Sequence, residues 1–191
     1  MRKIFVSTIL AGFVGFGSFT ALNAASYTAD VAHSSVAFKV SHMVVSTVDG
    51  NFNKFSGEAE IDKGVLKSIN GEIEIASVNT RNDGRDKHLQ GADFFDAAKF
   101  PTGTLKSTKI TKVKNGVKVE ADLTLHGVTK KVVLNGELKG PGVNEMTKKE
   151  LYGLTLNGQI NRKDFGIGAT SGSASIGEQV EINISLELAA K

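Results

Sequence analysis

The chain has 191 residues, with 23 Lys+Arg against 20 Asp+Glu, a formal net charge of +3 and no cysteine. Without cysteine there are no disulfides and no thiol chemistry, so the fold rests on its core alone. Near-neutrality without a Lys/Arg block excludes a nucleic-acid binder, whose affinity depends on neutralising many phosphates.

At the N-terminus, Arg2 and Lys3 precede the uncharged run "IFVSTILAGFVGFGSFTAL", which ends at "LNAAS" with small residues at cleavage positions. That pattern is a secretory signal. The run is about long enough to span a bilayer, but Gly, Ser and Thr dilute it and a small-residue site closes it. Residues 1–24 are therefore read as a signal peptide, cut after Ala24 or Ala25, and residues 25–191 as one domain. No Cys stands at the cut, which excludes a lipid-anchored N-terminus. Loss of Arg2 and Lys3 leaves 21 basic against 20 acidic residues, a net charge of +1. The expected compartment is the periplasm, with secretion beyond it open.

From Val36 onward the period is two. "VAFKVSH" sets Val36, Phe38 and Val40 against Ala37, Lys39 and Ser41, and His42 continues the apolar side, which gives it an inward direction. "INGEIEIAS" sets Ile69, Gly71, Ile73 and Ile75 against Asn70, Glu72 and Glu74. The segment "NDGRDKHLQGADFFD", residues 82–96, breaks the period. Asn82 or Asp83 can cap a short helix near 83–91, with Asp86 in its first turn. Alternation resumes in "VKVEADLTLHG" (Val117, Val119, Ala121, Leu123, Leu125), "VVLNGELKG" (Val132, Leu134, Gly136, Leu138), "LTLNGQINRKD" (Leu154, Leu156, Gly158, Ile160) and "VEINISLEL" (Val180, Ile182, Ile184, Leu186, Leu188). Each reads as a strand with one apolar and one wet face. Asn115-Gly116 signals a two-residue hairpin; His126-Gly127 and Gly140-Pro141-Gly142 read as turns.

Many amphipathic strands with short connections indicate an all-β antiparallel barrel or sandwich, and a barrel of about eight strands can enclose one ligand. Gly71, Gly136 and Gly158 lie inside strands, where they fit bends or a close approach by a ligand. Lys and Glu on the wet faces, with no Trp, two Tyr and seven Phe after residue 24, exclude an outer-membrane barrel with aromatic girdles. The apolar face points inward.

Catalytic and metal signals are weak. No Gly-x-Ser-x-Gly elbow occurs, and Asp83, Asp86, Asp93 and Asp96 stand at the spacing of caps and solvated charges. The four histidines, at 33, 42, 88 and 126, have no metal-ligand spacing. His126, at a turn, is read as solvated. No metal, cofactor or catalytic residue is expected.

In order along the chain, "AHSSVAFKVSHMVVSTVDGNF", "SVNTRNDGRDKHLQGADFFDAAKFPT", "LTLHGVTKKVVL", "INRKDFGIG" and "IGEQVEINISLEL" resemble the motifs of the YceI-like, polyisoprenoid-binding family. The resemblance runs from about Ser26 to Leu188. It implies a lipocalin-like barrel exported to the bacterial periplasm, with a long apolar pocket for an isoprenoid chain or similar amphiphilic lipid. The family's Phe-x-Val-x-His-Met falls on Phe38, Val40, His42 and Met43. Its Arg-Asp-x-His-Leu falls on Arg85, Asp86, His88 and Leu89, and its Asn-Arg-x-Asp-Phe-Gly on Asn161, Arg162, Asp164, Phe165 and Gly166. Gly103, Leu105 and the run "GATSGSAS" depart from the larger side chains that members often carry.

Resemblance and alternation together nominate an interior lining of Phe38, Val40, His42, Met43, Phe52, Ile73, Ile75 and Phe95 from the first half. From the second half they nominate Val119, Leu123, Leu125, Phe165, Ile182 and Ile184. Arg85, His88 and Arg162 are head-group candidates. For Arg85, Lys87 and His88, pairing with neighbouring Asp residues is the more ordinary role. The physics suits such a ligand, since each buried CH₂ contributes roughly 0.8 kcal/mol. The expected function is a binding or carrier protein for a long-chain lipid, without stable membrane insertion. An enzyme acting on a barrel-bound amphiphile, a protein–protein module and a homodimer stay open.

Overall fold

The computed structural model describes residues 24–191; the expected signal peptide lies outside them. Eight strands close a ring in which every pairing is antiparallel: β1 (Ala25–Ala29), β4 (Phe55–Asp62), β5 (Val65–Glu74), β7 (Thr102–Val113), β8 (Gly116–Leu125), β9 (Val128–Val143), β10 (Glu150–Asn161) and β11 (Ile176–Ala190). The C-terminal end of β11 closes the ring by pairing with β1, Tyr27 opposite Ala190. The same strand also carries β2 (Ser35–His42), with Phe38 opposite Ile182 and Val40 opposite Val180. β3 (Ser46–Phe52) pairs with β2, and β6 (Val78–Asn79) adds to β3. The expected barrel of about eight strands is present, with a three-strand extension on β11.

The alternation read from sequence is the inside–outside pattern of the wall. On β8, Val117, Val119, Ala121, Leu123 and Leu125 are all buried; on β10, Leu154 and Leu156 are completely so. Strand glycines serve closure. A Cβ on Gly136 would overlap the Thr155 carbonyl of β10, and one on Gly158 would come 2.8 Å from the Val133 carbonyl of β9. Only a hydrogen in place of Cβ lets β9 and β10 approach so closely at that bend.

The turns are partly as expected. His126 and Gly127, with φ of +50° and +73°, join β8 to β9. The β7–β8 loop is Lys114-Asn115 rather than Asn115-Gly116, because Gly116 already pairs with Val113. Gly140-Pro141-Gly142 is not a turn: β9 runs on to Val143, with an irregularity in its pairing between Leu151 and Gly153. The real reversal is the 144–149 loop, where the Asn144 side chain accepts from the backbone N–H groups of Met146 and Thr147, each at 3.0 Å.

The helix, α1 (Asp83–Leu89), ends two residues sooner than expected and is capped by Asn82, whose side chain accepts from the Arg85 N–H at 2.9 Å. No described helix is long and apolar enough to cross a membrane.

Candidate binding cavity

One end of the barrel is closed by irregular chain instead of strand pairing. Two segments meet there. The first, 82–100, brings Leu89, Phe94 and Phe95 over the barrel; the second, 162–176, brings Ile167. They are joined where the Gly168 N–H donates to the Asp93 carbonyl at 2.9 Å. Phe52 and Phe95 meet edge to face at 5.8 Å, and Phe38 lies 5.8 Å from Phe52 on the other side.

Beneath this lid lies a cavity of about 170 Å³, lined almost wholly by carbon. Of the nominated lining, Phe38, Val40, Phe52, Ile73, Phe95, Leu123, Leu125, Ile182 and Ile184 face it. These residues come from five strands and the lid segment, and all but Phe52 and Phe95 follow from the period-two pattern. Glycine makes part of the room: a Cβ on Gly103 would lie 2.7 Å from Leu125 and 3.0 Å from Ile73.

Five nominated residues do not line the cavity. His42 and Met43 are exposed, because β2 has by then risen past the barrel rim into the β2–β3 hairpin, so continued alternation no longer means inward. Ile75, Val119 and Phe165 are buried outside it. Ile75 starts a 3₁₀ turn, its N–H donating to the Pro101 carbonyl at 2.9 Å. Val119 sits deeper in β8 than Leu123 and Leu125, where side chains fill the barrel. Phe165 ends the 3₁₀ turn Arg162–Phe165. Sequence reasoning missed Phe94, whose neighbour it had chosen, Ile167, which lies in chain without periodicity, and Ile176, which opens β11 ahead of the register shift before Val180.

Of the head-group candidates, Arg162 is fully engaged within the protein and Arg85 partly so. Arg162 is 3 % exposed, and all its donors are on backbone carbonyls. Nε donates to Gly177 at 3.0 Å, Nη1 to Ile167 at 2.9 Å and to Gly168, and Nη2 to Ile176 at 2.9 Å and Ser171 at 3.1 Å. A guanidinium has five N–H donors, so none remains for a phosphate. Burial lowers its pKa, with Glu178 acting in the opposite direction. Arg162 is the staple of the 166–177 loop. Arg85 is exposed and donates through Nε and Nη2 to the Thr80 hydroxyl and carbonyl, at 2.7 and 2.8 Å. Asp86 accepts from the N–H and hydroxyl of the same buried Thr80. α1 is thus fastened to Thr80, and no ion pair joins Arg85, Lys87 or His88 to the neighbouring Asp residues among the described residues. His88 lies edge-on to Phe94 at 4.9 Å.

His126 is half-buried, contrary to its solvated reading. Its Nδ1 lies 3.0 Å from the Phe165 carbonyl, and its ring packs edge-on against Phe100 at 4.9 Å. It ties the β8–β9 turn to the lid. Glu178 is held by the Ser173 hydroxyl first and by Lys163, at 2.9 Å, second; together they lower its pKa to about 2. The described residues place one group that could hold a metal, Asp30, His33 and Glu187, on the outer surface. His33 Nδ1 faces both carboxylates, at 3.0 and 3.9 Å, and the Asp30 hydrogen bond raises its pKa. A proton on Nδ1 satisfies this geometry, and it would compete with any metal for the same nitrogen.

The model of the YceI-like domain matches residues 27–188. A UPF0312 protein of Vibrio cholerae serotype O1 is 35 % identical over 187 residues, covering 95 % of this chain and 97 % of the relative. A UPF0312 protein of Yersinia pestis is 38 % identical over 186 residues, 94 % and 95 % of the two chains. In the solved YceI protein of Campylobacter jejuni the TM-score is 0.73 at 36 % identity, covering 80 % of this chain and 91 % of that one. A polyisoprenoid-binding domain from Saccharophagus degradans shares the fold, with a TM-score of 0.60 at 18 % identity over 88 % of this chain and all of that one. With its closed eight-stranded wall, its lidded apolar interior and a domain match spanning nearly all described residues, the chain belongs to the YceI-like family.

Proposed function

We propose that the chain is an exported, periplasmic binding or carrier protein that holds the tail of a long-chain isoprenoid or similar amphiphile in its barrel. One observation carries the reading: the cavity under the lid is walled by Phe, Leu, Ile and Val from facing strands, with no free charge aimed into it. Such a surface rewards apolar burial and offers nothing to a polar substrate. The polyisoprenoid-binding neighbour from Saccharophagus degradans supports the same ligand class. Export rests on the N-terminal sequence alone.

The cavity, partly open to solvent, has a volume of about 170 Å³, of the order that takes a small hydrocarbon ring. A polyisoprenoid therefore needs more room, and Phe94, Phe95 and Ile167 are the lining side chains of the covering segments whose movement would widen it. The 162–176 segment moves only as far as Arg162 lets it. Lipid binding here needs no acid, base or nucleophile, and Asp86, the best-placed acid of the 82–96 segment, is occupied by Thr80.

Organic extraction of protein purified from its native compartment, followed by mass spectrometry, tests the reading. An isoprenoid or other long-chain lipid is expected in the extract. Ile182→Trp, which fills the cavity, should empty it, while Glu181→Gln on the outer face should not. Equal lipid content in both folded variants, or none in the wild type under any loading, removes the proposal.

A further inference from the structure

Three consecutive aliphatic residues stand out of the protein at the β2–β3 hairpin. Met43 is 55 % exposed, Val44 74 % and Val45 89 %. Single exposed apolar side chains are ordinary, but a contiguous run on a protruding tip marks an interaction surface. Met43 and Val44 have φ of +51° and +65°. The left-handed region is costly for a β-branched residue, so the fold holds Val44 outward at some expense of stability.

The place of this tip in the barrel is informative. Its base is joined to the lid: His42 pairs with Ile176, and the Met43 N–H donates to the Ser175 carbonyl at 2.9 Å. Ile176 lines the cavity, and its carbonyl is one of those held by Arg162. Residues 43–47 read MVVST and the adjacent loop 169–175 reads ATSGSAS, without an ionisable side chain. The charges that touch this loop, Lys163 and Glu178 at Ser173, are paired with each other at 2.9 Å. Farther down the hairpin, Lys39 is paired with Asp49 at 3.5 Å. The other strongly exposed pair, Val143 and Met146, lies at the opposite end of the barrel beside Glu145, Lys148, Lys149 and Glu150.

We propose that the 43–45 tip docks the lidded end of the barrel onto a phospholipid bilayer, so that a lipid tail passes between membrane and cavity. The proposal rests on the lipid-binding reading above. Aliphatic side chains on an uncharged protrusion enter the acyl boundary of a bilayer without desolvating a charge. Docking there sets the lid against the membrane surface. A protein partner or a second copy would have to cover the same tip.

Flotation of the exported full chain with protein-free vesicles of phosphatidylethanolamine and phosphatidylglycerol tests it. Wild type should float, and should still do so at high salt, since the contact is apolar. The triple variant Met43→Ser, Val44→Ser, Val45→Ser should bind about tenfold more weakly or worse. Val45→Asp alone should do the same, and at the most exposed of the three positions it leaves folding undisturbed. Val143→Ser with Met146→Ser should bind as wild type. Failure of wild type to float, or equal flotation of all variants, overturns the proposal. A wild-type dimer that the triple variant converts to monomer, without vesicle binding, overturns it in favour of a second copy. Ile182→Trp separates the two readings, since it should float normally while taking up no lipid. If wild type floats but never takes up lipid, docking stands and the carrier reading falls.

Discussion

Arg162 and Ile176 are fourteen residues apart in sequence and joined by a 2.9 Å hydrogen bond from Nη2 to the carbonyl oxygen. Through that bond, and its companions to residues 167, 168, 171 and 177, one buried side chain sets the path of the loop that covers the cavity.

Arg162→Lys should therefore unfold the lid without acting through any ligand charge. An ammonium has three donors against the five that the guanidinium uses here. Urea denaturation should show a loss of about 2 kcal/mol or more. Weaker binding of a phosphorylated lipid at unchanged stability, with a neutral lipid of equal chain length unaffected, would return Arg162 to the head-group role.

Arg85→Ala should behave as a loosened helix. Its two bonds to Thr80 are lost, at about 1 kcal/mol, and Thr80→Val should loosen the helix to a similar extent by removing the hydroxyl that Arg85 Nε and Asp86 share, while the Nη2 bond to the carbonyl stays. Phosphorylated and neutral lipids should weaken together in both variants. Selective loss of the phosphorylated ligand in Arg85→Ala alone would show a head-group contact.

Two glycines in adjacent strands separate closure from tolerance. Gly136→Ala puts a methyl group into the Thr155 carbonyl and should cost about 1–3 kcal/mol or abolish folding. Gly153→Ala meets nothing within 4 Å and should stay within about 0.5 kcal/mol of wild type. Thermal melting of the pair decides it, and equal melting temperatures would refute the close approach of β9 and β10.

Acid should loosen the lid loop. Glu178 has its pKa lowered from 4.5 to about 2 by Ser173 and Lys163. The stability it contributes is fully present above pH 4.5 and is lost as pH falls towards 2. His33 runs the other way: its pKa is raised by Asp30, so its contribution is complete below 6.5 and is lost as pH climbs through the raised value. In urea titrations across pH, Glu178→Gln should flatten the acid slope, whereas His33→Gln should flatten the neutral slope and, by removing the hydrogen bond that lowers the Asp30 pKa, part of the acid one. An acid slope identical in Glu178→Gln and wild type would place the lid's acid sensitivity elsewhere.

The sequence by itself determined the wall. Period two is a local property of the chain, since successive side chains of a strand point to opposite faces. Val117 to Leu125, Leu154 to Ile160 and Val180 to Leu188 therefore declared their inner faces without any partner strand in view. The helix was legible too, because the Asn82 cap is a contact over three residues. What lay beyond local periodicity was decided by the tertiary structure. His42 continues the alternation of Phe38 and Val40, yet it is exposed because the barrel stops beneath it. Val119 and Leu123 share one face of β8, but only depth within the closed ring separates packed core from cavity lining. Arg162 carries the same charge whether it meets a phosphate or five carbonyls, and the carbonyls come from a loop without any pattern. The reason is the same in all three: a strand's sequence sets which way a side chain points, whereas what it meets there depends on segments far away in the chain.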